Sequence, residues 1–152
     1  MSTATKLKPE LSKKNRYWLS KHRYYELKHF CLQYQEWKAM YLSLSEPYHT
    51  TVDPTGVRNS DVEWVDSTAK MVLKREYYLS KMKIVEETAR MADPTIAQYL
   101  FRGVTTDVGY VYLRNVMEIP CGKDMYYDRY RRFFWLLDAK MRRFSASYNE
   151  KE

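Results

Sequence analysis

His22, Glu26 and His29 fall at i, i+4 and i+7, so a helix through them carries three candidate metal ligands on one face. Three protein ligands are what a catalytic zinc site uses. An i to i+7 separation, however, spans roughly 10 Å along a helix, too far for one ion to reach both histidines. Solvent-exposed helix polars are the better account, and no metal or other cofactor is expected. Glu86 and Glu87 are adjacent and point about 100° apart on a helix, so they do not make a general acid–base pair. Cys121 follows Pro120 near a helix start, a place that lowers a thiol's pKa, but no base stands near it in sequence. The chain has no Gly-rich phosphate loop and no GxSxG motif, so an enzyme is not expected.

The stretch "CGKDMYYDRYRRFF", Cys121 to Phe134, offers a different chemistry. It sets three arginines and a lysine among five aromatic rings. With Tyr126, Tyr130, Phe133 and Leu137 facing a core, a 100° step per residue turns Asp124, Tyr127, Asp128, Arg131 and Trp135 outward, with Arg132 on the flank. Arg131 and Arg132 can then pair with phosphate or fork onto a guanine edge. Lys123 stands in the first turn, where a helix N-terminus already attracts phosphate oxygens. Tyr127 can hydrogen-bond a phosphate, and Arg129 supports the face from beside the aromatic stripe. The bland alternative is a solvated surface helix whose Asp124 and Asp128 repel phosphates.

The elements that must position this helix are all helical. Tyr24, Leu27, Cys31, Tyr34, Trp37, Tyr41 and Leu44 recur at spacings of three and four, one amphipathic face with a break expected near Gln35. Residues 45–60 collect Pro, Gly, Asp, Asn and Thr without periodicity and read as a loop. Ser60 or Asp61 caps a long helix expected to reach Ala92. It carries one stripe through Val62, Val65, Ala69 and Val72 and another through Tyr78, Met82, Val85 and Ala89. Two stripes call for two packing partners, the first helix and the C-terminal unit. Asp93 and Pro94 read as a helix start and Gly103 as its end. Thr106 or Asp107 caps a further short helix carrying Val108, Val111, Tyr112, Val116 and Met117. Pro120 and Gly122 mark a tight turn before a last helix from about Lys123 to Phe144. The expected organisation is a flexible basic tail over 1–15, a helical section over 16–92, a helix-turn-helix unit over 93–145 and a frayed end over 146–152.

Bulk composition agrees with an all-α chain. Four glycines and five prolines in 152 residues are too few for an all-β protein built on tight turns. A formal charge of +7 favours an acidic partner, and Lys6, Lys8, Lys13, Lys14 and Arg16 form an arm suited to phosphate contacts. No apolar run approaches the roughly 20 residues that span a bilayer, so no membrane is expected. Cys31 and Cys121 stand apart without a CxxC pair and read as reduced thiols of a cytoplasmic protein.

Two longer stretches carry a resemblance. "NRYWLSKHRYYELKHFCLQYQEWKAMYLSL" resembles the N-terminal region of small prophage proteins in the RinA/ArpU group of late transcriptional regulators. "YLFRGVTTDVGYVYLRNVMEIPCGKDMYYDRYRRFFWLL" resembles their C-terminal helix-turn-helix, which is similar to the promoter-reading region of bacterial sigma factors. Leu113 and Ile119 match the hydrophobic positions before and after the turn, and "MYYDRYRR" the start of the recognition helix. Arg114 departs from the pattern where a small residue is preferred, and Glu118 where a turn glycine is common. The resemblance implies sequence-specific binding of double-stranded DNA, in the host cell's cytoplasm, that switches on phage late or packaging genes. Lys123, Tyr127, Arg129, Arg131 and Arg132 are the expected contacts, and the Tyr- and Trp-rich N-terminal helices are expected to supply homo-oligomerisation or a contact to host RNA polymerase. The alternatives are a module that binds another host protein through a relict helix-turn-helix, and a DNA-packaging component of the small-terminase type.

Overall fold

The structure, a computed structural model, describes residues 13–45 and 61–149; of residues 61–66, 144, 148 and 149 it describes the backbone alone. All regular structure among the described residues is helical: α1 (Lys21–Leu32), α2 (Tyr34–Ser45), α3 (Asp61–Ala92), α4 (Ala97–Thr106), α5 (Tyr110–Asn115) and α6 (Lys123–Asn149). The chain is all-α, as its periodicity implies.

Ser20 caps α1, its Oγ accepting from the Arg23 N–H at 3.4 Å. The break in the first amphipathic run falls at Gln33, two residues before the expected place, and the apolar face runs through it. Tyr24, Leu27, Cys31, Tyr34 and Trp37 are all buried. α3 packs against α2, α6 and α4, and the described contacts fall on the stripe through Tyr78, Met82, Val85 and Ala89. Tyr34 Oη donates to Glu86 Oε1 at 2.6 Å and Arg75 Nη2 to Tyr41 Oη at 3.1 Å, which fixes α2 along it. On another side α6 runs antiparallel, tied by Arg129 to Asp93 (3.0 Å) and Lys140 to Glu87 (3.4 Å). Met82, Val85 and Ala89 are buried between them. The other stripe departs from expectation: Ala69 and Val72 are exposed, and Val62 and Val65 lie outside the described side chains.

The C-terminal half corrects several boundaries. α4 starts at Ala97 and not at Pro94, because Asp93 Oδ1 accepts from the Thr95 N–H (2.9 Å) and holds a turn ahead of the helix. Gly103 lies inside α4, buried, with the Tyr126 ring against it; close approach and not termination explains the glycine. The left-handed residue that ends α4 is Asp107 (φ 57°), which pairs with Lys28 at 3.1 Å. Neither Thr106 nor Asp107 caps α5, whose N-cap is Gly109. α5 is shorter than expected and leaves Val111 and Val116 exposed, while Tyr110 and Leu113 are buried. α6 continues to Asn149, so the described part of the end expected to fray, 146–149, is helical. The expected tail over 1–15 and loop over 45–60 lie mostly outside the described residues. Lys13 to Tyr17 form a turn in which the Tyr17 N–H donates to Asn15 Oδ1 at 2.9 Å.

Candidate nucleic-acid interface

The residues between α5 and α6 set the position of α6. Ile119 is buried and its N–H donates to Leu113 O at 3.0 Å, and Tyr110 Oη donates to Cys121 O at 2.7 Å. Glu118 takes φ 56°, a left-handed conformation that disfavours a side chain with a Cβ. This is the position at which the helix-turn-helix pattern expects a glycine. Once seated, α6 buries Tyr126, Phe133, Phe134 and Leu137.

Four of the five expected contact residues, Tyr127, Arg129, Arg131 and Arg132, are half-buried, and two of them are engaged within the molecule. Tyr127 is not outward. It is half-buried, its Oη accepts from the Tyr110 N–H at 3.4 Å, and its ring packs on Tyr126 (5.1 Å) and Tyr130 (6.0 Å). The start of α5 covers that flank of α6, which spacing within one helix does not reveal. Arg129 is bound between two carboxylates, Nε to Asp93 Oδ2 (3.0 Å) and Nη1 to Asp128 Oδ2 (2.7 Å). The Asp93 hydrogen bond, above all, raises its pKa, and its charge is spent inside the molecule.

Arg131, Arg132 and Lys123 are different. Lys123 is exposed, the two arginines are half-exposed, and none has an acidic partner among the described residues. The acids nearby are largely committed: Asp128 to Arg129, and Asp138 to Arg23 (2.7 Å) and Arg142 (3.1 Å). Asp124 remains exposed in the first turn.

One contact lies beyond what spacing predicts. The ring of Tyr17 stands 5.8 Å from that of Trp135, and Arg16 lies over Tyr17 at 4.9 Å. Tyr17 is buried, whereas Trp135 stays 42% exposed. The basic arm thus begins on the outer face of α6, with Lys13, Lys14 and Arg16 all exposed beside it. Arg131 and Arg132 stand four and three residues before Trp135, one helical turn away. Two aromatic residues directly after the basic run, in "KKNRYW", are the signal that could have suggested an anchored arm. The outcome is a half-exposed indole with Arg131 and Arg132 one turn before it and, docked on it through Tyr17, an arm that carries the exposed Lys13, Lys14 and Arg16, a composition suited to phosphates with an aromatic surface between them.

The other sequence candidates come out as surface or core chemistry. His22, Glu26 and His29 are exposed; Glu26 pairs with Arg23 at 3.2 Å and His29 stacks on Tyr25. No group of three His, Cys, Asp or Glu among the described residues is arranged to hold a metal ion. Burial, reinforced by Asp93, raises the Cys121 thiol, so its helix-start position gives it no activation. A cleft of about 520 Å³ opens between α2, α3 and α4, and two of its lining residues, Tyr34 and Glu86, are hydrogen-bonded to each other. Among the described residues no helix is long and apolar enough to cross a membrane. No family model matches the chain, and no curated protein or solved structure is significantly similar to it.

Proposed function

We propose that the chain binds duplex DNA through the outer face of α6 and the arm docked on it, acting as a transcriptional regulator of the phage late-gene type it resembles in sequence. The observation that carries the proposal is the Tyr17–Trp135 contact, because it joins Lys13, Lys14 and Arg16 to Arg131 and Arg132, which have no acidic partner among the described residues. Arg131 and Arg132 have the roles of phosphate clamp and base-edge reader, and the arm adds affinity without sequence choice. Tyr127 and Arg129 act as scaffold and not as contacts. The setting of such a regulator is the cytoplasm of the host cell.

A second reading, a protein-interaction module, draws on Val111 and Val116, which stand 66% and 62% exposed on and just after α5. Apolar residues on the outer side of a helix suit a protein partner better than a phosphate backbone.

Fluorescence anisotropy on duplexes from the neighbouring genome, across a range of salt, separates the two. DNA binding requires tight association with a few fragments and a steep salt dependence that Arg131→Ala/Arg132→Ala reduces. Weak, fragment-blind association unchanged by that double substitution, with both proteins folded, would falsify the proposal.

A further inference from the structure

The cleft between α2, α3 and α4, about 520 Å³, falls in the range of roughly 300–1,000 Å³ that small-molecule sites occupy. Tyr34 and Phe101 give it an apolar wall, their rings meeting edge to face with centroids 4.7 Å apart. Its charges are arranged against expectation. Glu86 and Arg90 stand four apart on α3, acid first, the spacing and order that favour an ion pair on one helix. They do not pair. Glu86 Oε1 accepts instead from Tyr34 Oη at 2.6 Å, a bond that reaches across to α2. Burial, and then the Glu86 carboxylate, raise the Tyr34 hydroxyl well above its ordinary value, so it stays a donor at neutral pH. The other acids within one turn of Arg90 are committed, Glu87 to Lys140 (3.4 Å) and Asp93 to Arg129 (3.0 Å). Arg90 therefore lines the cleft with no acidic partner among the described residues, and Glu86 has its second oxygen unused. Gln98, in the first turn of α4, adds an amide to the lining.

We propose that this cleft binds a free α-amino acid with an apolar side chain, its carboxylate on Arg90, its ammonium on Glu86 and its side chain against Tyr34 and Phe101. A zwitterion is the ligand that answers both charges at once. A simple anion would meet Glu86 as a like charge, and a simple amine would meet Arg90 as one. Residues four apart on a helix have Cβ atoms roughly 5–6 Å from each other, a spacing that suits two charged groups carried on one carbon. A guanidinium can hold the carboxylate through two parallel hydrogen bonds, and the edge-on rings leave an apolar surface for a branched or aromatic side chain. The inference does not depend on DNA binding, and its test contains no DNA.

Titration of the isotope-labelled full chain with L-phenylalanine and with L-leucine, followed by amide NMR shifts, is the first measurement. Saturable shifts at Arg90, Thr95 and Gln98 are expected, with a Kd below about 1 mM. Hydrocinnamate, which lacks the ammonium, and phenylethylamine, which lacks the carboxylate, should each bind at least tenfold more weakly than phenylalanine. Arg90→Gln and Glu86→Gln should each weaken phenylalanine at least tenfold. Glu86→Gln keeps an acceptor for Tyr34 and Arg90 is exposed, so both variants should retain the circular dichroism of the parent. Absence of saturation by either amino acid up to about 10 mM overturns the proposal, and so does binding indifferent to both substitutions. Hydrocinnamate binding as tightly as phenylalanine overturns the zwitterion assignment. Preference for an N-acetylated dipeptide ending in phenylalanine would make the ligand a peptide C-terminus and overturn the free amino acid.

Discussion

Arg129 Nε donates to Asp93 Oδ2 at 3.0 Å, joining the middle of α6 to the residue that follows α3. Burial opposes ionisation of Asp93, but hydrogen bonds from the Thr95 N–H and the Arg129 guanidinium outweigh it and hold the carboxyl below its ordinary value. A carboxylate lowered in the folded state adds stability that is fully present above the unfolded value near 4. That stability is lost as pH falls through the lowered folded value. Asp93→Asn is therefore expected to cost about 1–3 kcal/mol at pH 7 and to flatten the fall of Tm below about pH 4. Parallel Tm-against-pH curves for the two proteins would remove Asp93 from the acid response.

Removing Arg129 tests its role as scaffold. Arg129→Ala should lower Tm by leaving Asp93 short of a partner, at a cost of about 1–3 kcal/mol. At a temperature where the variant is fully folded, DNA affinity and its salt slope should match the parent. A salt slope reduced by about one unit would return Arg129 to the interface.

Gly103 and Tyr126 form a second coupled pair. A Cβ on Gly103 would collide with the Tyr126 hydroxyl, and that buried hydroxyl has no hydrogen-bond partner among the described residues. Gly103→Ala should destabilise by about 1–3 kcal/mol through overpacking. Tyr126→Phe deletes an unsatisfied group and should be neutral or stabilising. In the Gly103→Ala/Tyr126→Phe double variant, loss of the hydroxyl should recover part of the destabilisation. A strictly additive double-mutant cycle would contradict the contact.

Glu118 offers the reverse experiment. Its φ of 56° is a conformation that costs an L-residue roughly 1–2 kcal/mol, and glycine adopts it freely. Against the extra entropy of an unfolded glycine, Glu118→Gly should gain about 0.5–1 kcal/mol. A drop in chemical-denaturation midpoint would mean that the Glu118 side chain has a role of its own.

Docking of the arm rests on Trp135. Trp135→Ala should release residues 13–17 and lower DNA affinity, with arm and helix acting less as a unit. Parent tryptophan fluorescence should change on DNA addition; identical affinity in the Ala variant would separate the arm from the interface.

The periodic parts of this fold are open to reading because burial writes a period into the sequence. Tyr24, Leu27, Cys31, Tyr34 and Trp37 mark one face, and periodicity places the break in their helix pair within two residues of its actual position. Tyr127 escapes such reading because a neighbouring helix decides how wide a buried arc is. Gly103 is ambiguous for a related reason, since a helix end and a ring resting on a helix both select glycine. Of the candidate interface, Arg131 is legible from its place opposite the apolar stripe and Arg132 from its place on the flank. The arm's attachment is not, because it joins Tyr17 to Trp135 across most of the length of the chain.

The bond from Arg23 to Asp138 and the hydroxyl pair of Tyr24 and Tyr130 (2.7 Å) close loops of more than a hundred residues. α1 leaves the ribosome long before α6, one of its packing partners. Until α6 emerges, Tyr24 lacks the Tyr130 and Phe134 rings it docks on, which makes the nascent N-terminal half a natural client for a chaperone that holds apolar segments. A chain arrested before residue 123 should therefore stay protease-sensitive at α1, however good a helix that segment makes alone.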